Sequence, residues 1–163
     1  MKIELVDVTE NDFEVIKEIY DYYVLNTTVT FHIEEVSVSG LKEFILTGHP
    51  KYKSFMIHYD NRVSGFCYIS HYNIRQAYNR SAEVTLYLKP EYTGRGIGEI
   101  VLRQLEAIAL KNGISVLVGV ISGENIVSIR LFEKCGYEKC AHYRKIGKKF
   151  GKILDVVAYQ KIL

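Results

Sequence analysis

The sequence predicts an α+β fold in which helices cover a largely antiparallel sheet. Strands are indicated by alternating apolar and polar residues, as across residues 81–88, where Val84 and Leu86 share one face. Helices are indicated by apolar residues that recur about every 3.6 positions, as along residues 96–111. Asp60-Asn61 lies between two strand patterns and is a hairpin signal, and a hairpin makes its two strands antiparallel.

In the first third of the chain, short polar motifs set the ends of the elements. Thr9 with Asp12 resembles a capping box that opens a helix, with Asp in place of the usual Glu. The polar and β-branched residues 26–28 end that helix. Ser39-Gly40 is expected to open a second helix, which Gly48-His49-Pro50 stops. We interpret one apolar stripe of the first helix as core: Phe13, Ile16, Ile19, Tyr20, Tyr23 and Val24.

Later in the chain, Pro90 ends the strand over residues 81–88, because proline has no N–H for the ladder. Asn112-Gly113 ends the helix that follows. Asn125 caps a last helix with Ile126, Ile129 and Cys135 on one face, and Gly136 ends it. Residues 145–151 form a turn-rich basic segment. We therefore expect strands over 3–8, 55–59, 63–70, 81–88, 116–121, 137–144 and 154–161, with helices from 13, over 41–47, over 96–111 and from 125 to 136.

Length and composition limit the classes of function. A chain of 163 residues is expected to form one domain, 1–163, with a real core. A net charge of +2 argues against nucleic acid as a partner. We expect no membrane segment and no secretory leader, because no apolar run is long enough. Three cysteines, Cys67, Cys135 and Cys140, favour reduced thiols in a cytoplasmic protein, and no Cys or His spacing predicts a metal site.

A glycine-rich turn joins the strand over residues 81–88 to the helix over residues 96–111. It places Gly94, Gly96 and Gly98 at alternate positions. Such a turn exposes backbone N–H groups at the positive end of a helix dipole, which favours an anion. The spacing is neither the dinucleotide fingerprint nor the mononucleotide P-loop, although a nucleotide-binding module stays open as an alternative.

The full string Tyr92-Thr-Gly-Arg-Gly-Ile-Gly98 resembles the pyrophosphate loop of the GNAT acetyl-CoA-dependent N-acetyltransferases, R/Q-x-x-G-x-G/A. Thr93 replaces the first Arg or Gln, so affinity for CoA would depend more on Arg95 and on the backbone. Seven further segments, in order, are similar to the phosphinothricin and methionine-sulfoximine N-acetyltransferases: residues 26–31, 49–50, 75–78, 81–87, 125–128, 132–136 and 147–155. The resemblance implies the GNAT fold, a mixed, mostly antiparallel, twisted sheet of about seven strands flanked by about four helices.

The implied reaction is direct transfer of the acetyl group of acetyl-CoA to the primary amine of a small amino-acid-like substrate. By the same resemblance Glu83 is the general base, and Phe31, Arg75 and Tyr78 bind the substrate in a homodimer. Arginine also suits a carboxylate because it can bind both oxygens. The resemblance assigns the cofactor to Leu86, Tyr87, Leu88, Thr93, Gly94, Arg95, Gly96, Ile97, Gly98, Asn125 and Ser128.

Several alternatives stay open at this point. Glu83 could be an ordinary strand residue paired with Arg80 or a lysine, and Asn125 could be a simple helix cap. Phe132 stands where related enzymes carry a Tyr or His that protonates the leaving thiolate, so a side-chain general acid is in doubt. Other readings are acetylation of polyamines or protein N-termini, or a CoA-binding sensor without turnover.

Overall fold

A computed structural model describes residues 1–163 and arranges them around a seven-stranded sheet. The strands are β1 (Ile3–Asp7), β2 (Ser54–Tyr59), β3 (Arg62–His71), β4 (Ser81–Leu88), β5 (Val116–Ser122), β6 (Glu138–Lys149) and β7 (Lys152–Ile162). Their order across the sheet is β1-β2-β3-β4-β5-β7-β6, and β4–β5 is the parallel pair among antiparallel neighbours. The predicted mixed, mostly antiparallel sheet is confirmed.

Four helices pack on the sheet: α1 (Phe13–Asn26), α2 (Val38–Leu41), α3 (Ile97–Lys111) and α4 (Ile126–Lys134). The sheet separates two hydrophobic cores. Phe66 and Tyr68 of β3 join the core under α1 and α2, whereas Cys67 and Ile69 join the core under α3 and α4. This division follows from the alternation of side chains along a strand. None of the helices is long and apolar enough to cross a membrane.

Local signals in the sequence set several of the element ends. Asp60 and Asn61 both have positive φ, 45° and 66°, as the predicted tight hairpin requires. The Asp12 carboxylate accepts a hydrogen bond from the Thr9 backbone N–H at 2.7 Å, as a capping box does. Gly113 has φ +80°, which ends α3 where the sequence predicts.

The predicted second helix over residues 41–47 is wrong. The observed α2 begins at Val38, because the Ser37 hydroxyl accepts a hydrogen bond from the Gly40 N–H at 3.0 Å. A serine cap therefore lies two residues before the expected one at Ser39, and the chain leaves the helix after Leu41.

The predicted turn over residues 145–151 is also wrong for most of its length. β6 continues to Lys149, and the turn is confined to Phe150 and Gly151, which have φ of 51° and 71°. Lys145 has φ +55° at a shift of register, so a bulge absorbs the turn-like residues inside the strand. In α4, the expected common face of Ile126 and Cys135 is wrong too, because Ile126 is 49% exposed whereas Cys135 is buried.

Candidate active site

A cleft opens where β4 and β5 separate. The two strands pair only at Ser81–Glu83 with Val116–Val118, whereas β4 continues to Leu88. The last part of β4 therefore leaves an unpaired backbone edge, which an extended ligand can join as another strand would. The cleft has a volume of about 580 Å³ and a mostly apolar wall that includes Val29, Leu86 and Val120.

The glycine-rich loop closes one end of this cleft. Gly94 and Gly96 have φ of 73° and 76°, and a Cβ at either position would contact nothing, so conformation rather than space requires glycine. A Cβ at Gly98 would instead lie 3.0 Å from the Leu131 side chain, so this glycine allows α3 and α4 to approach closely. The loop presents backbone N–H groups at the start of α3, and such groups favour an anionic end on the ligand.

Ten of the eleven residues predicted for the cofactor line the cleft, with Arg95 outside it. The Arg95 guanidinium lies 5.4 Å from the centre of the Tyr92 ring. The Thr93 hydroxyl donates to the Pro90 carbonyl at 2.8 Å and so stabilises the turn after β4. The ten are Leu86, Tyr87, Leu88, Thr93, Gly94, Gly96, Ile97, Gly98, Asn125 and Ser128. The wall also includes Tyr23. The apolar stripe of α1 predicts this residue as part of the core and gives no sign that it lines a cleft.

Asn125 both caps α4 and lines the cleft, so the two readings of this residue are compatible. Its side-chain oxygen accepts from the Ser128 N–H at 3.2 Å, and its amide nitrogen donates to the Ser128 hydroxyl at 2.9 Å. One helical turn after Ser128, the Phe132 side chain is 6% exposed. Its ring packs edge-on against the Tyr137 ring, with ring centres 4.8 Å apart. Phe132 also forms part of the cleft wall, where it offers no proton donor.

A second cavity of about 600 Å³ lies on the neighbouring part of the molecule. Glu83 lines this cavity, whereas Thr85 and Tyr87, on the same face of β4, line the cleft. The Tyr20 and Tyr87 rings meet edge-on at 5.4 Å between the two spaces. The second cavity is lined by Tyr20, His32, Glu43, Phe44, Leu46, Tyr68, Ser70, His71, Ile74 and Glu83.

Glu83 is a half-buried carboxylate without a partner. It lies opposite Ser70 in the β3–β4 ladder and forms neither an ion pair nor a side-chain hydrogen bond, with Arg80 or with any lysine. Burial raises the pKa of Glu83 above its ordinary value, because the charged form loses solvation. An unpaired carboxylate of this kind can accept a proton from a group in the cavity.

The loop over residues 27–37 forms a wall of both spaces, since Val29 lines the cleft and His32 the second cavity. Buried polar contacts hold it. The Tyr20 hydroxyl hydrogen-bonds to the Thr30 hydroxyl at 2.8 Å and to Nδ1 of His32. The buried Lys149 ammonium donates to the Thr30 carbonyl at 2.8 Å, and burial lowers the pKa of Lys149.

The three residues predicted to bind substrate do not line either cavity. Arg75 is exposed and directly follows Ile74, which does line the second cavity. Tyr78 packs edge-on against Tyr72, with ring centres 5.6 Å apart. Phe31 packs against Gly147, where a Cβ would lie 2.6 Å from the Phe31 ring.

Sequence reasoning missed most of the second cavity, including His32, Glu43 and His71. These residues lie far apart in the chain, and no spacing connects them. No group of three His, Cys, Asp or Glu side chains is arranged to hold a metal ion.

Comparison with known proteins identifies the family of the chain. Residues 5–158 match the family described as "Acetyltransferase (GNAT) domain". The chain is 29% identical to the phosphinothricin N-acetyltransferase of Streptomyces coelicolor, over 94% of this chain and 92% of the relative. It is 28% identical to the L-methionine sulfoximine/L-methionine sulfone acetyltransferase of Salmonella typhimurium, over 91% and 88%.

A solved structure gives the same result for the fold. The GNAT superfamily phosphinothricin acetyltransferase of Sinorhizobium meliloti, solved in complex with AcCoA, superposes with a TM-score of 0.91 at 29% identity. The match covers 100% of this chain and 89% of the other. The resemblance inferred from the sequence motifs is therefore confirmed, and the chain belongs to the GNAT acetyltransferase family.

Proposed function

We propose that this protein transfers the acetyl group of acetyl-CoA to the primary amine of a small amino-acid-like acceptor. The observation that carries the proposal is the unpaired, half-buried Glu83 in the second cavity, two residues before Thr85, which lines the cleft. The relatives named for phosphinothricin and methionine sulfoximine support the acceptor class. We further propose that residues 1–163 act as one domain.

In this proposal the cleft holds the donor. The pantetheine arm lies along the free edge of β4 at Leu86–Leu88, with Asn125 and Ser128 across from it. The N–H groups of Gly94–Gly98 face the pyrophosphate. Arg95 acts from outside the wall as a nearby positive charge, because its guanidinium stacks on Tyr92 rather than pointing into the cleft.

The second cavity holds the acceptor, and Glu83 removes its proton. An amine reaches the site mainly as an ammonium ion, which has no lone pair for attack. Glu83 accepts the proton directly or through water, and its raised pKa makes it a better base than an exposed glutamate. The amine nitrogen then bonds to the acetyl carbon, the carbon–sulfur bond breaks, CoA leaves as the thiolate, and the nitrogen loses its second proton to water. A thiol pKa of about 8.5 makes this departure feasible without a donor at Phe132.

We propose that Arg75, Tyr78 and Phe31 complete the acceptor site in a homodimer. A run of exposed apolar side chains on the β6–β7 hairpin supports this assembly: Tyr143, Ile146, Phe150 and Ile153 are 50%, 61%, 59% and 54% exposed. Phe31 packs against the same hairpin at Gly147. Light scattering should give the mass of two chains for the wild type and of one chain for Ile146→Asp. A single-chain mass for the wild type would contradict the proposal.

We also propose that the enzyme works in the reducing cytoplasm. The free thiols of Cys67, Cys135 and Cys140, the last of them exposed, support this location.

A polyamine acceptor is the second candidate. It is favoured by one observation: the cavity wall contains the carboxylates of Glu43 and Glu83 and no lysine or arginine. The test measures release of CoA thiol from acetyl-CoA with phosphinothricin, methionine sulfoximine, methionine sulfone and spermidine. Turnover on the amino-acid analogues supports the proposal. Turnover on spermidine alone supports the second candidate, and acetyl-CoA binding without any turnover supports a sensor.

A further inference from the structure

We propose that Glu43 determines which acceptor the site prefers. It favours an acceptor whose side chain ends in a neutral group with an N–H over one whose side chain ends in an anion. In terms of the acceptors named above, the enzyme prefers methionine sulfoximine to phosphinothricin. This inference rests on the proposed function and adds a specificity-determining residue to it.

The first ground is an uncompensated negative charge. Glu43 is exposed at the edge of the second cavity and has no ion-pair partner. The adjacent cation, Lys42, is paired with Glu10 and lies 5.2 Å from the centre of the Phe13 ring, so it is bound elsewhere. None of the ten residues of the cavity wall is Lys or Arg, so no permanent positive charge in the wall neutralises Glu43.

The second ground is the position of Glu43 relative to the base. Glu83 lies on the sheet side of the cavity and fixes where the amine must sit. The segment after α2, with Glu43, Phe44 and Leu46, covers the sheet at this point. The Phe44 ring lies 6.0 Å from the Tyr68 ring. We place the acceptor in this cavity with its amine facing Glu83 and its side chain towards this segment.

The third ground is the chemistry of the group at the end of each acceptor's side chain. Phosphinothricin ends in a phosphinate anion, which a carboxylate repels. The side chain of methionine sulfoximine ends in a neutral group whose N–H can donate a hydrogen bond to a carboxylate. The side chain of methionine sulfone ends in a neutral group without an N–H. The α-carboxylate is common to all three acceptors, so its repulsion cancels when they are compared. One charge at the edge of a solvated cavity discriminates roughly tenfold, and the effect decreases with salt.

The experiment compares kcat/KM for the three acceptors in the wild type, Glu43→Gln and Glu18→Gln at low and high salt. Glu18 is exposed on α1, outside both cavities, so Glu18→Gln removes the same charge elsewhere. We expect wild-type kcat/KM in the order sulfoximine, sulfone, phosphinothricin. Glu43→Gln should reduce the sulfoximine-to-phosphinothricin ratio at least fivefold, mainly by improving phosphinothricin, and Glu18→Gln should leave the ratio unchanged.

Three results would overturn the inference. Turnover of all three acceptors with the same ratio in Glu43→Gln would remove Glu43 as the selecting residue and leave the proposed function intact. An equal change of the ratio in Glu18→Gln would assign the effect to net charge. Absence of turnover on every analogue would overturn the proposed function and this inference together, so the two failures are distinguishable.

Discussion

Gly119→Ala should damage the enzyme through Phe132, a residue of the cleft wall. The Phe132 ring lies directly over Gly119 in β5: a Cβ there would lie 2.7 Å from Cζ and 2.9 Å from Cδ1, and closer still to Cε1. Gly119 does not have positive φ, so alanine suits the backbone, and the clash alone is tested.

The size of the destabilisation depends on where the Phe132 ring can move. Phe132 is 6% exposed, and Tyr137 blocks one side at 4.8 Å, so the ring must shift into the cleft that it lines. Overpacking of this kind lowers the free energy of unfolding by about 1–3 kcal/mol. For a chain of this size each kcal/mol lowers Tm by about 2–4 °C, so we expect a fall of roughly 2–12 °C. The KM for acetyl-CoA should rise as well.

Thermal unfolding of a double-mutant cycle is the assay. Phe132→Leu removes the ring edge, so the double variant should be less destabilised than the two single changes together, by at least about 1 kcal/mol. A Gly119→Ala protein with the same Tm as the wild type would refute the reasoning. So would effects that add within about 0.5 kcal/mol, because the ring would then not be what the new methyl group meets.

Three other predictions concern charges. Because burial raises the native pKa of Glu83, its charged form destabilises the folded state above that pKa, and the penalty disappears below the unfolded value of about 4.3. Glu83→Gln should therefore raise Tm at pH 7.5 but not near pH 4; equal gains at both would contradict this. Lys161 donates to Glu106 at 2.8 Å in a partly buried site, so Lys161→Met should cost about 1–3 kcal/mol in urea unfolding, and adding Glu106→Gln should recover part of it. If Glu106→Gln restores no stability, the unpaired Glu106 carboxylate is not the cause of the loss. Arg95→Ala should weaken acetyl-CoA binding by calorimetry about two- to fivefold at low salt and less at high salt; salt-independent weakening would argue against a charge effect.

The parts of the protein that local chemistry determines were predictable from the sequence. β4 has the predicted bounds, because alternation and Pro90 mark a strand and its end. The loop with Gly94 and Gly96 and the cap at Asn125 also follow from short-range backbone requirements. Ten of the eleven cofactor residues that the family resemblance implies lie around the cleft.

The second cavity could not be predicted in the same way. Tyr20, Glu43 and Tyr68 come from α1, the segment after α2 and β3, and only the packing of those elements brings them around Glu83. Turn-forming residues such as Lys145 were misread because a bulge and a turn use similar backbone conformations.

The central claim is that Glu83 takes the proton of the acceptor amine while the cleft binds the donor independently. The most direct measurement is steady-state turnover of Glu83→Gln on the best acceptor, together with its calorimetric affinity for acetyl-CoA and Glu18→Gln as control. We expect kcat to fall at least about 100-fold, with acetyl-CoA affinity close to that of the wild type. Turnover near the wild-type rate, or a loss of acetyl-CoA binding as large as the loss of turnover, would contradict the claim.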